Sequence, residues 1–96
     1  MNLGFSWDSK KNTINKKKHK VSFEEAETAF YDERARVIPD PDHSQNEERF
    51  ILLGISFSLN LLVVVHTFLE KTGIIRIISA RKAAKKERNK YNKGEE

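Results

Sequence analysis

Alternation of apolar and polar residues predicts a short strand at the start of the chain and longer strands in its second half. Leu3, Phe5 and Trp7 alternate with small or polar residues, which is the period of a half-buried strand. Later apolar segments are rich in β-branched residues and are bounded by turn-forming residues. The strands predicted after the first are 35–38, 48–57, 61–68 and 74–79, with loops at 58–60 and 70–73 and a break at Pro39 and Pro41.

Three other segments have the capping residues or the spacing of helices. Asp8 can cap a lysine-rich helix over 9–18, whose apolar stripe is limited to Ile14. Ser22, with a glutamate three residues later, forms a capping box ahead of a second helix. A basic third helix is predicted over 80–91, with small residues facing the core.

The predicted order of elements is β-α-α-β-β-β-β-α, an α+β fold in which helices pack on an antiparallel β-sheet. The chain has 96 residues, enough for a single hydrophobic core. We therefore expect one domain over 1–92, followed by a charged tail at 93–96.

Residues 50–68 carry no charged side chain and approach the length of a membrane span. The valines at 63–65 favour a strand, and a second strand-like segment follows closely, so the hairpin is the better interpretation. The N-terminus lacks the apolar segment of a signal peptide, and the sequence contains no cysteine. We expect a cytoplasmic protein without disulfides or thiolate metal sites.

Charge is distributed along the chain in blocks of opposite sign. Residues 1–20 carry six lysines and one aspartate, whereas residues 21–50 carry nine acids and three arginines. Residues 81–93 are strongly basic again, and the formal net charge of the chain is +4. A fold that joins the two basic blocks would attract nucleic acid or an acidic protein. The alternative is a lysine-rich surface that is simply solvated.

A histidine and several arginines lie in or beside the apolar strands, where an unpaired polar group costs free energy. If Phe68 pairs with Ile74, His66 lies directly across from Arg76. Arg49 on the preceding strand could also lie beside His66, and a slip of one residue would separate these side chains onto opposite faces. Such a cluster suits RNA cleavage, because a base must deprotonate a ribose 2′-hydroxyl while cations stabilise the phosphorane.

Each of these residues also has a structural explanation. His66 alone fits a hydrogen-bonded strand histidine, and Arg76 can pair with an acid such as Glu48. His19 can interact with the negative end of the first helix. His43 is a weak candidate for a metal ligand, but the spacing of the three histidines matches no metal signature. We therefore expect no metal and no cofactor.

Several motifs follow one another in order between Phe5 and Tyr91. They are Phe5–Asp8, Lys18–Ala26, Asp40–Ser44 with Glu48–Phe50, Leu62–Thr67, Ile75–Arg81, and Glu87–Arg88 with Tyr91. In this combination the chain resembles the BrnT toxins of bacterial type II toxin–antitoxin systems. Ser9 and Lys20 depart from the family pattern, which usually has Pro and Gly there. Both positions are helix boundaries, so the expected effect is on local stability.

The resemblance implies a RelE-like fold and a ribonuclease toxin that cleaves RNA and inhibits translation. It also implies a cognate antitoxin with a ribbon-helix-helix domain, which neutralises the toxin and with it represses their operon. Operator DNA would then be bound only through the antitoxin complex, and a homodimer within a heterotetramer is compatible with this arrangement.

We therefore predict a metal-independent endoribonuclease. The predicted catalytic residues are His66, Arg76, Arg81, Arg49 and His19. The predicted RNA-binding residues are Lys18, Lys82, Lys85, Lys86, Arg88 and Tyr91.

Two further hypotheses remain open. The chain could be a non-enzymatic RNA- or ribosome-binding protein, in which the basic blocks alone make the contacts and binding falls steeply with salt. It could instead be an interaction module of a repressor complex, whose basic face an acidic partner covers. We see no helix-turn-helix or other motif for reading DNA directly.

Overall fold

The computed structural model describes residues 3–40 and 47–94, which form a five-stranded sheet with three helices. This confirms the predicted α+β fold and the order of its elements. The elements are β1 (Gly4–Ser6), α1 (Ser9–His19), α2 (Phe23–Ala29), β2 (Arg36–Pro39), β3 (Phe50–Ile55), β4 (Leu61–Leu69), β5 (Ile74–Lys82) and α3 (Lys85–Lys93).

The sheet has the strand order β1-β5-β4-β3-β2 and is antiparallel except at one edge. There β1 pairs with β5 in parallel, from Gly4 opposite Ile74 to Ser6 opposite Arg76. No hairpin constrains the direction of β1, because most of the chain lies between it and β5. Since β1 is so short, the outer edge of β5 beyond Arg76 has no neighbouring strand among the described residues.

Helix α1 begins and ends at residues that satisfy its free backbone groups. The Asp8 carboxylate accepts from the backbone N–H groups of Lys10 and Lys11, at 2.8 and 3.2 Å. Lys20 ends the helix in the left-handed conformation with φ +62°, and its N–H donates to the carbonyl of Lys16.

Helix α2 is capped by Ser22, whose hydroxyl accepts from the backbone N–H of Glu25 at 3.0 Å. The Glu25 carboxylate is used elsewhere: it accepts from Ser56 at 2.7 Å and from Asn60 at 2.8 Å. The predicted capping box is thus half formed, because the turn between β3 and β4 needs the carboxylate as an acceptor. This contact ties α2 to that turn.

Helices α1 and α2 cover one face of the sheet. The buried cluster contains Val21, Phe23, Ala26, Ala29, Leu52, Leu62, Val64, Ile77 and Ala80, with Phe5, Trp7, Phe30 and Ala35 packed against it. Each buried Val, Leu, Ile or Phe side chain in this cluster contributes roughly 1.5–3 kcal/mol of transfer free energy. The core therefore holds the helices against a single face and leaves the other to α3 and solvent.

Three predicted details of the elements are wrong. Strand β5 continues to Lys82, so α3 begins at Lys85 and Ala80 belongs to the strand. Strand β3 is shorter than predicted, because the Ser56 hydroxyl turns the chain by accepting from two backbone N–H groups. On α1, Ile14 is 62% exposed and the neighbouring Asn15 is buried.

The pairing of β4 with β5 also differs from the prediction. Phe68 lies opposite Ile75, one residue away from the predicted partner, so Thr67 and not His66 lies opposite Arg76. Between Val65 and His66 the register shifts by a further residue, through a β-bulge on β5. The slip and the bulge decide which polar residues share a face.

No helix in the described parts of the chain is both long and apolar enough to cross a membrane. The stretch 50–68 forms β3, β4 and their turn, as predicted. His43, considered above as a weak metal ligand, lies outside the described residues.

Candidate active-site groove

A groove lies on the face of the sheet opposite the core formed with α1 and α2. Its floor consists of apolar side chains that alternate along β3 and β4 with the core residues. The larger part encloses about 640 Å³ and the smaller part about 310 Å³. Ile51, Val63 and Arg81 line both parts, with Leu53 added in the larger and Val65 in the smaller.

Arg81 is held in the groove by the acid of α3. Its Nη1 and Nη2 atoms donate to the two carboxylate oxygens of Glu87, at 2.9 and 2.7 Å. The same carboxylate accepts from the backbone N–H of Ala84 at 2.8 Å, at the start of α3. The hydrogen-bonded pair raises the pKa of Arg81 and lowers the pKa of Glu87. A bidentate pair fixes the plane of the guanidinium group, so Arg81 is charged and oriented.

The smaller part of the groove brings His19 close to Arg81. His19 is the last residue of α1 and lines this part together with Asp40, Ser79 and Arg81. Its imidazole is half-buried, whereas Asp40 is buried. An imidazole, a carboxylate, a hydroxyl and a guanidinium therefore share one small concavity above an apolar floor.

The larger part is bounded by β2 and α3. Arg34, Arg36 and Ile38 line it on one side, and Glu87 with Lys90 lines it on the other. The cations outnumber the acids around this opening, so an anionic chain of repeating phosphates suits it electrostatically.

Helix α3 is fixed beside the groove by Tyr91. The Tyr91 hydroxyl donates to Asp32 at 2.6 Å, and the Arg34 guanidinium lies 5.4 Å from the centre of the Tyr91 ring. Burial and the neighbouring Asp32 raise the pKa of Tyr91 to about 12. Burial alone would raise the pKa of Asp32, but hydrogen bonds from Tyr91, Ile55 and Arg34 lower it overall. Tyr91 is only 4% exposed, so its ring has no free face for stacking on a base.

His66 lies on the other side of the sheet, inside the core. Its ring centre is 4.8 Å from that of Phe30 and 6.0 Å from that of Phe50, and its Nδ1 is 3.2 Å from the Val64 carbonyl oxygen. It is 5% exposed, and this burial lowers its pKa. The predicted contact between His66 and Arg76 is therefore wrong, because the one-residue slip places them on opposite faces.

The remaining predicted residues line neither part of the groove. Arg76 is exposed and lies opposite Thr67, on the side of the sheet away from His66. Arg49 directly precedes β3, where its carbonyl accepts from the Asp40 N–H at 2.8 Å. The predicted RNA-binding residues Lys18, Lys82, Lys85, Lys86 and Arg88 are all exposed.

The groove also contains Asp40, Ser79 and Glu87, which were not among the predicted site residues. Ser79 and Arg81 are two residues apart on β5, so their side chains lie on the same face. The bulge in β5 decides which face that is, and it was not predicted. Glu87 could have been found from its position six residues after Arg81, had β5 been predicted to extend to Lys82. Within 3–40 and 47–94, no three acidic, histidine or cysteine side chains are grouped in a way that could hold a metal ion.

Comparisons with known proteins agree with this architecture. The crystal structure of the Brucella abortus ribonuclease toxin BrnT superposes with a TM-score of 0.67 at 22% sequence identity, covering 88% of this chain and all of that one. A comparison with curated protein sequences gave no match. The family model described as the ribonuclease toxin BrnT of type II toxin–antitoxin systems matches residues 7–87. With this match over most of its length, the chain belongs to the BrnT family of ribonuclease toxins.

Proposed function

We propose that this chain is an endoribonuclease toxin that cleaves RNA in the groove without a metal ion. The family is one of ribonuclease toxins, which sets the reaction class. The observation that carries the proposal is the oriented Arg81 beside His19 in one concavity. A cation for the phosphate and a group that can transfer a proton are the two requirements of RNA transesterification.

In the proposed reaction, the ribose 2′-oxygen attacks the adjacent phosphorus as its proton passes to a base. The bond from phosphorus to the 5′-oxygen of the next nucleotide breaks, and an acid protonates that oxygen. The products are a 2′,3′-cyclic phosphate and a free 5′-hydroxyl. His19 is the proton-transfer group of the groove, and Arg81 stabilises the charge on the non-bridging oxygens.

Arg81 can serve a phosphate even though Glu87 holds it. The side chains of Arg81 and Glu87 are 43% and 31% exposed, so a phosphate can approach the pair from solvent. A guanidinium carries five N–H donors. The pair with Glu87 uses one on each terminal nitrogen, and Nη1 also donates to the Lys82 carbonyl at 3.3 Å, so one donor on Nη2 and the one on Nε remain. Arg76 and Arg49 are proposed as further phosphate contacts along the same side of the sheet. His66 is instead assigned a structural role, because it is buried on the other face.

The exposed basic residues extend the binding surface beyond the groove. Lys82 follows Arg81 at the end of β5, and Lys18 precedes His19 at the end of α1. Lys85, Lys86 and Arg88 project from the first turns of α3. Contacts between these residues and phosphates would make binding depend strongly on salt.

The proposed partner is a cognate antitoxin, since the family consists of toxins from toxin–antitoxin systems. We propose a ribbon-helix-helix antitoxin that neutralises the toxin and forms with it a complex, a heterotetramer, that represses their operon. Operator DNA is contacted through the antitoxin. RNA in the cytoplasm is the proposed target of the free toxin, and its cleavage inhibits translation.

The test is cleavage of a defined RNA by the purified chain, with and without EDTA, followed by identification of the fragment ends. Cleavage that resists EDTA and leaves 2′,3′-cyclic phosphate ends is the expected result. Arg81→Gln should reduce the rate by at least about tenfold, as expected for loss of one transition-state contact. Lys71→Gln is the matched control, because it removes one charge from the exposed loop between β4 and β5.

Two outcomes would contradict parts of the proposal. Cleavage that EDTA abolishes and Mg²⁺ restores would refute the metal-independent reaction. No cleavage of free RNA, and none in a translating extract, would leave the alternative of a basic RNA- or ribosome-binding protein. In that case binding should be abolished by charge reversal at Lys82, Lys85, Lys86 and Arg88 together, whereas Arg81→Gln should behave like Lys71→Gln.

A further inference from the structure

Asn15 is a polar residue buried at the boundary between α1 and the sheet. It is 7% exposed and makes three hydrogen bonds. Its Nδ2 donates to the carbonyl oxygens of Val21 at 2.9 Å and of Ala80 at 2.7 Å. Its Oδ1 accepts from the backbone N–H of Ala80 at 3.2 Å. The amide therefore joins the segment after α1 to the C-terminal part of β5.

The hydrogen bonds from Asn15 to the backbone of Ala80 take the place of those that a neighbouring strand would make. Strand β1 pairs with β5 only as far as Arg76, so the backbone groups of Ala80 on that edge have no strand beside them among the described residues. An amide side chain presents one donor and one acceptor in the same plane, as a peptide group does. Asn15 thus continues the hydrogen bonding of the sheet where β1 ends, and no apolar side chain can do so.

The position of Ala80 connects this contact to the groove. Its chain neighbours are Ser79 and Arg81, and both line the smaller part of the groove. Asn15 also lies four residues before His19, on the same side of α1. A single amide therefore ties the strand that carries Arg81 to the helix that carries His19.

We propose that Asn15 is a positioning residue for RNA cleavage, which sets the geometry of His19 relative to Arg81. The proposal rests on the proposed function, since it concerns the same groove. Asn15 contacts no substrate in this scheme and acts only through the two residues it aligns. Its loss should therefore reduce the chemical step more than substrate binding, because the cations around the groove remain.

Asn12 provides a matched control on the same helix. Its Oδ1 accepts from the backbone N–H of Phe23 at 2.8 Å, and its Nδ2 donates to Glu24 at 2.9 Å. It therefore joins α1 to α2 and has no bond to β5. Replacement of either asparagine removes side-chain hydrogen bonds that hold α1 in place, but only Asn15 touches the strand of the groove.

The experiment compares Asn15→Ala with Asn12→Ala. Denaturant unfolding first identifies conditions in which wild type and both variants are folded. Then kcat and KM are measured on a short fluorogenic RNA. Asn15→Ala should lower kcat by about 10- to 100-fold, the range expected when reacting groups are misaligned, and change KM by less than about threefold. Asn12→Ala should leave both constants within about twofold of wild type.

A second variant keeps the proposal testable if Asn15→Ala does not fold. Asn15→Gln retains the amide but moves it by one methylene, so it should fold and still lose kcat. If folded Asn15 variants keep the kcat of Asn12→Ala, the positioning role is refuted while the proposed function stands. If wild type itself cleaves no RNA, the proposed function fails and this inference fails with it.

Discussion

The assignment of His66 to the core predicts how its replacement changes stability. We expect His66→Leu to fold, because leucine has similar volume and suits the space between Phe30 and Phe50. The variant loses the bond to the Val64 carbonyl, which costs about 1 kcal/mol, and no longer needs to bury an imidazole. Near neutral pH the two proteins should therefore differ by no more than about 2 kcal/mol in free energy of unfolding.

The dependence of this difference on pH gives the sharper test. Burial lowers the pKa of His66 from 6.5 in the folded state, so the unfolded chain binds a proton that the folded chain rejects. The wild type should lose stability as the pH falls below about 6.5, with a slope of at most about 1.4 kcal/mol per pH unit. His66→Leu should lack this component, so its free energy of unfolding should rise relative to that of wild type as the pH falls, whichever protein is more stable near neutral pH.

The assay is urea denaturation at several pH values, together with RNA cleavage per folded molecule. Leucine at position 66 should leave the cleavage rate within about threefold of wild type, because the residue lies on the face opposite the groove. A stable His66→Leu variant that has lost cleavage would refute the structural role. It would instead favour the catalytic role that the sequence predicted.

Three further variants test other contacts. Glu87→Gln releases Arg81, so cleavage should fall by about tenfold or more in an RNA assay while the fold persists; an unchanged rate would mean that the pair does not orient the guanidinium. Tyr91→Phe removes the hydrogen bond to Asp32 and should lower the free energy of unfolding, measured in urea, by about 1.5–3 kcal/mol. Because the pKa of Tyr91 is raised to about 12, its contribution is complete below pH 10 and should disappear as the pH rises through 12, whereas Tyr91→Phe should show no such loss. Leu59 has a left-handed backbone conformation, with φ +65°, in an exposed turn, and glycine adopts this conformation without strain. Leu59→Gly should therefore raise the free energy of unfolding by up to about 1 kcal/mol, measured by calorimetry; a lower melting temperature would contradict this.

The local features of the fold could be predicted from sequence because they depend on neighbouring residues. Asp8 and Ser22 cap helices where their side chains reach the next backbone N–H groups, two or three residues away. The apolar and β-branched segments gave β3, β4 and β5 for the same reason, and the charge-free stretch 50–68 became a hairpin. The resemblance to the BrnT family also came from sequence motifs, and the family match confirms it.

Only the tertiary structure decided which polar residues meet. His66 shares the core face of β4 with Leu62 and Val64, as alternation predicts, but a slip of one residue between β4 and β5 puts Arg76 on the other face. The pattern of apolar residues did not reveal that slip. Asn15 is buried while Ile14 is exposed, because Ala80 needs an amide partner where β1 ends. Element order follows from short-range hydrogen bonding and periodicity, whereas the site follows from strand register and from contacts between residues far apart in the chain.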